Sequence, residues 1–124
     1  MRRYALILAG LLAAATACAG SPAEAYRGAD TNLLAQAREG FEAAPESAAA
    51  TRKLIAMLDS SLPPDRNSWP AVFRAFRAAL EGLRGKHSHL PWEKYRHVKA
   101  AISQFHGLVE AHPEAVELRM LRYS

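Results

Sequence analysis

From residue 30 onward, apolar side chains return every three or four positions, and prolines at 45, 63, 64, 91 and 113 cut that rhythm into separate runs. No stretch alternates apolar and polar residues with period two for long enough to argue a strand. A run of this kind is a helix with one apolar stripe, and the stripe is stable only against another helix. The predicted fold class is therefore all-α: short antiparallel helical hairpins with short connections.

The runs can be placed. Asp30 or Thr31 can accept from the free amides of a first turn, after which Leu33, Leu34, Ala37, Phe41 and Ala44 share a face. Pro45 ends that helix and fits the first turn of the next, which carries Ala50, Leu54, Ile55, Met57 and Leu58 and stops at Leu62-Pro63-Pro64-Asp65. A third helix, capped by Asn67 or Ser68 with Pro70 in its first turn, lines up Val72, Phe73, Phe76, Ala79, Leu80 and Leu83. Its Arg74, Arg77, Glu81 and Arg84 are expected on a solvated face, and Gly82 and Gly85 are expected to loosen and end it. Residues 86–91 read as a polar connector. The fourth helix opens at Trp92-Glu93-Lys94 and presents Tyr95, Val98, Ile102, Phe105 and Val109 as a narrow packing seam, with Ala101 and Leu108 beside it. Pro113 separates it from a short fifth helix whose Glu117 and Arg119/Arg122 suit the two ends of the helix dipole. Val116, Leu118, Met120, Leu121 and Tyr123 give that helix an apolar side, which so short an element can leave without a cover.

At 124 residues there is room for one domain. Its 26 alanines favour helix, and one cysteine excludes both an internal disulfide and a thiolate metal cluster. Ahead of the helices, Met1-Arg2-Arg3-Tyr4 places positive charge before the uncharged apolar run Ala5–Ala17. Such a run is a secretory signal core, well short of the roughly 20 residues that cross a bilayer. Two cleavage sites compete. Ala15-Thr16-Ala17-Cys18 resembles a bacterial lipobox, although Ala15 stands where leucine is usual; cleavage there makes residues 1–17 the signal and Cys18 a lipidated N-terminus. Ala23-Glu24-Ala25 is an equally acceptable A-x-A site, which makes the signal 1–25 and releases a soluble chain from Tyr26. Residues 18–29 read as a linker and 30–124 as the helical domain. The protein is thus expected outside the cytoplasm, as a membrane-anchored lipoprotein or a periplasmic or secreted protein.

Within the fourth helix, Ala101, Phe105, Leu108, Val109 and Pro113 follow the second-helix half of a tetratricopeptide repeat, A-x3-F-x2-A-L-x3-P, with leucine at the small position and valine at the leucine. The first-helix half does not follow: its register falls on Gly85 to Trp92. From Val72 to Ser124 the chain resembles a group of uncharacterised bacterial tetratricopeptide-like proteins, through Gly85-Lys86-His87, Pro91, Lys94, Pro113 and the run from Glu117 to Ser124. The resemblance implies a divergent repeat-like helical fold and leaves the activity unassigned. A generic helical bundle is the other reading.

No nucleophile elbow, phosphate loop or HExxH motif is present. His87 and His89 could offer two imidazoles, but His97, His106 and His112 fall on different helical faces, with His97 and His106 roughly 180° apart at about 100° per residue. No metal, cofactor or catalytic residue is assigned. The polar residues singled out are Lys86, His87, Lys94, Glu117, Arg119 and Arg122. A connector packed over the last helix would let Glu117 pair with Lys86, Lys94 or an arginine and fix two hairpins in register; the alternative is an anion pocket in which Arg119 and Arg122 donate. Residues 66–99 carry a net +6 and residues 18–65 a net −3. That asymmetry suits an acidic partner or anionic lipid, and the exported address argues against nucleic acid. The functional expectation is a cell-envelope protein that binds a protein or peptide partner, exposing an apolar or aromatic patch with Trp69 or Trp92. The alternatives are an envelope enzyme or small-anion binder around His87, Glu117 and Arg119, and a structural subunit completed by another chain.

Overall fold

The computed structural model describes residues 22–123, and among them every regular element is helical. Asp30 accepts from the amides of Asn32 and Leu33 at 2.8 and 3.0 Å and starts α1, Thr31–Ala43. Pro45 turns the chain through a 3-10 turn, Ala44–Glu46, after which Ser47 Oγ accepts from Ala50 and starts α2, Ala48–Ser61. The Pro63-Pro64 break is pinned by the Trp69 indole, whose Nε1 donates to Pro63 O at 2.7 Å. A 3-10 turn, Arg66–Ser68, leads into α3, Ala71–His87; α4 is Pro91–Ala111 and α5 is Val116–Arg122. No described helix is long and apolar enough to cross a membrane.

The helices are organised around α3. Eleven of its seventeen residues are buried, against three of twenty-one in α4. It packs on α2, α4, α5 and the Pro22–Tyr26 turn. Its Phe73, Phe76, Leu80 and Val72 are among the largest fully buried side chains, joined by Leu58 of α2 and Leu118 of α5. Phe41 of α1 meets Phe76 edge-on, with centroids 5.7 Å apart.

A helix enclosed on several sides cannot keep the solvated face expected of it. Arg77 is only 5 % exposed. Its guanidinium bonds Glu81 at 2.9 Å and Asp59 of α2 at 3.4 Å, and Glu81 also meets Arg84 and the Nδ1 of His97. Burial disfavours the Glu81 carboxylate, but the hydrogen bonds from His97 and Arg77 outweigh it and leave the pKa below its ordinary value. A buried charge is tolerated here because its partners come with it.

Gly82 and Gly85 do not end α3, which runs on to His87, so residues 86 and 87 are helical rather than part of the connector. They let α4 approach. A Cβ at Gly85 would lie 3.1 Å from Lys94 O, 3.2 Å from His97 Cβ and 3.2 Å from Val98 Cγ2, and one at Gly82 would touch Ala101 Cβ. Gly82 facing Ala101 and Gly85 facing His97 show that α3 and α4 run antiparallel. The expected α4 seam shifts accordingly. Phe105 is buried as expected, together with Ala101 and Leu108, while Tyr95 and Ile102 stay exposed and Val98, although part-exposed, lies against Gly85 of α3.

The last helix buries Leu118 and Leu121 and leaves Val116, Met120 and Tyr123 exposed. Residues 22–29, read as linker, belong to the packed body. The Pro22–Tyr26 turn lies on α3, Ala25 is fully buried, and Gly28 takes the positive φ of 76° that swings the chain into α1. The apolar run and both bonds flanking Cys18 fall outside the described residues.

Gly85→Ala should lower stability by about 1–2 kcal/mol despite the gain in helix propensity, because a backbone carbonyl of α4 cannot step aside. Gly107→Ala, where an added Cβ meets nothing within 4 Å, should raise it by about 0.5–1 kcal/mol. Urea denaturation of the two variants checks this pair. Equal effects would mean the α3–α4 approach is not tight.

Candidate functional site

The six polar residues singled out by sequence do not form one cluster. Glu117 is held from the opposite end of the chain: Arg38 of α1 donates Nε to Oε1 at 3.0 Å and Nη2 to Oε2 at 2.7 Å, and the Tyr26 hydroxyl donates to Oε2 at 2.9 Å. An arginine does pair with Glu117, but it comes from the first helix rather than from the connector. Lys86 donates to Pro45 O at 2.7 Å, and its neighbour His87 places Nε2 2.8 Å from Ala44 O, so both secure the α1–α2 turn. Lys86, Lys94 and Arg122 share the edge of one groove, and Arg119 is exposed on α5. His87 and Glu117 are engaged by different partners, so no shared acid–base pair is formed between them.

The Tyr26–Arg38–Glu117 clasp is partly buried, and its groups shift together. The hydrogen bonds from Arg38, aided by that from Tyr26, hold the Glu117 carboxyl below its ordinary 4.5 against the opposing effect of burial. Burial and the bond to Glu117 raise the Tyr26 phenol above its ordinary value. The Arg38 guanidinium also lies 6.0 Å from the Tyr26 ring centroid. The clasp ties the start of the described chain to its last helix, which is a structural task. Tyr26 and Arg38 were not singled out from sequence, because a bond across 79 or 91 residues leaves no local pattern.

The surface that stands out chemically is on α4 and α5. Among the described residues, the exposed large apolar side chains are Leu90, Trp92, Tyr95, Val98 and Ile102 at or in α4, and Val116, Met120 and Tyr123 in or just after α5. Helices α1 to α3 contribute none. Trp69, the other candidate for an aromatic patch, is buried, while Trp92 is 67 % exposed. Between the two helices runs an open groove of about 500 Å³. Ala78, Ala79 and Gly82 of α3 form its floor, Val98, Ile102 and Phe105 one wall, and Leu121 and Tyr123 the other. Lys86, Lys94 and Arg122 stand at its edge, and no acidic residue lines it. The floor had a sequence signal: Ala78, Ala79, Gly82 and Gly85 are small residues at helical spacing, the pattern that lets another backbone come close.

A second, shallower depression of about 350 Å³ is lined by Arg52, Arg84, His87, His89, Glu93 and His97, with Glu93 held by Ser88 at 2.9 Å. No group of three or more histidine, cysteine or acidic side chains among the described residues is placed to hold a metal ion.

The clasp sets a pH dependence of defined sign. The folded-state pKa of Glu117 is depressed, so its contribution is complete above about 4.5 and disappears as pH falls through the lower folded value. Because Arg38 is half exposed, the contribution is small. Glu117→Gln should cost about 1 kcal/mol at pH 7, with the difference from the parent closing in acid. Denaturation at pH 7 and pH 3.5 measures it, and a pH-independent gap would refute the assignment.

The chain matches no family model, no curated protein and no solved structure.

Proposed function

We propose that this protein is exported, is held at a membrane surface through a lipid on Cys18, and binds a protein or peptide partner in the cell envelope with the apolar surface of α4 and α5. The observation that carries this reading is the segregation of exposed large apolar residues onto those two helices. Exposed large apolar groups on a monomer are ordinarily scattered, so their restriction to two helices marks a surface for use, and tryptophan and tyrosine are the side chains that most often anchor protein interfaces. The repeat-like reading draws support from Ala101, Phe105 and Leu108, since the half-motif positions are those α4 buries against α3. Helical-repeat proteins bind partners on such grooves.

Support for the anchor comes from Ala25. Cleavage after it would remove the fully buried side chain and most of the Pro22–Tyr26 turn, whereas cleavage before Cys18 leaves them in place. The intact mass of the mature protein from the membrane fraction should show a diacylated N-terminal cysteine. A chain starting at Tyr26 would overturn the anchor.

A second reading, a subunit completed by another copy or another chain, is favoured by the exposed Val116 and Tyr123 of the short α5. Site-specific photo-cross-linking in cells tests the partner surface. A cross-linker at Ile102 should give one discrete protein adduct, and one at the exposed Arg52 of α2 should give none. No adduct at 102, or equal adducts at both positions, counts against it; an adduct of twice the chain's own mass selects self-association.

A further inference from the structure

We infer that the open half of the α3–α4 groove seats an acidic amphipathic helix of a protein partner. This rests on the partner-binding reading and specifies the partner's chemistry.

The shape argument is internal to the molecule. One half of the α3–α4 groove is already occupied by a helix: α5 packs on both α3 and α4 and seats Leu118 and Leu121, three residues apart, in the core. Its seven residues cover only part of the length that α3 and α4 offer. Past Leu121 the groove continues along the C-terminal part of α3 and the N-terminal part of α4, where Gly82 and the alanines keep the floor low and Val98 and Ile102 form a wall left open. A second helix laid along that stretch would repeat what α5 does beside it. Helix-in-groove docking uses apolar anchors at i, i+3 or i+4, and i+7.

Charge selects among helices. Lys94 and Arg122 edge the groove from opposite walls, and Lys86 stands at its floor end, although its ammonium also meets Pro45 O. No carboxylate lines the groove. Glu117, the nearby acid of α5, is paired with Arg38 and Tyr26 on the other side, and Glu93 keeps its charge but lines the separate depression with Arg52 and Arg84. A helix with acidic residues flanking its apolar anchors would meet opposite charge on both walls, and a basic helix would meet like charge there.

The probes are three stapled helical peptides with identical leucines at i, i+3 and i+7 and Glu, Gln or Lys at the flanking positions, titrated against the full mature protein by fluorescence anisotropy. The Glu peptide should bind about tenfold or more tighter than the Lys peptide at low salt, with the margin shrinking as salt rises. The Lys94→Glu/Arg122→Glu variant, which leaves the Lys86–Pro45 contact intact, should reverse the order, and Ile102→Asp should weaken all three. Circular dichroism confirms that each variant is folded. Equal binding of Glu and Lys peptides, still lost on Ile102→Asp, overturns the acidic partner and leaves the partner surface standing. Failure of all three peptides overturns the helical occupant, while the cross-link at Ile102 judges the surface separately. Binding to phosphatidylglycerol vesicles that the Ile102 variant abolishes, without peptide binding, gives the groove to lipid. Concentration-dependent dimerisation lost in the same variant gives it to a second copy. Either result overturns the proposal.

Discussion

The rest of the structure depends on the close approach of α3 and α4 through glycine and alanine. Because Gly85 has no Cβ, the Lys94 carbonyl and the Val98 side chain can lie 3.1 and 3.2 Å from where that atom would stand. That proximity makes α3 the buried centre, with Phe76 turned to Phe41 of α1 and Gly82 and Gly85 turned to α4. It also explains why a single helix can be both the main source of large buried side chains and the floor of a groove. Where α3 is bulky it fills the core, and where it is small it leaves room.

Enclosure of α3 has an electrostatic cost that the molecule offsets locally. Arg77 cannot reach solvent, so Asp59 and Glu81 accompany it, and Glu81 in turn holds His97 of α4. The network links α2, α3 and α4 across the helix that separates them. Tyr26, Arg38 and Glu117 do the same for the outer elements, drawing the first turn and α1 onto α5. Both networks consume carboxylates. The groove side of α4 and α5 is left with cations and exposed apolar residues, and this distribution gives the surface its chemical character.

The proposed recognition surface is therefore the part of the helical stripes that the fold does not use. Helix α4 carries a wider apolar face than its one line of contact with α3 can bury, and α5 is too short to cover the remainder. An apolar stripe on a helix states that something should pack against it and leaves open whether that something belongs to the same chain.

Local rules sufficed for most of the elements: Asp30 as a cap, Pro45 and the Pro63-Pro64 pair as breaks, and the 3.6-residue stripes that make the described chain all-helical, whereas Ser47 rather than Pro45 starts α2, and Asn67 and Ser68 form a 3-10 turn ahead of α3 instead of capping it. These effects act over a turn or two and are written in adjacent residues. The tertiary structure decided which of two apolar stripes is covered, which charged residue is enclosed, and which arginine meets Glu117. Arg77 and Arg84 look alike along the chain, and one is buried because α2 and α4 close over it while the other is not. Of the expected α4 seam Phe105 is buried and Tyr95 and Ile102 are not, while the flanking Ala101 and Leu108 are, because the position of Gly82 and Gly85 on the neighbouring helix, a non-local fact, fixes where α4 touches down.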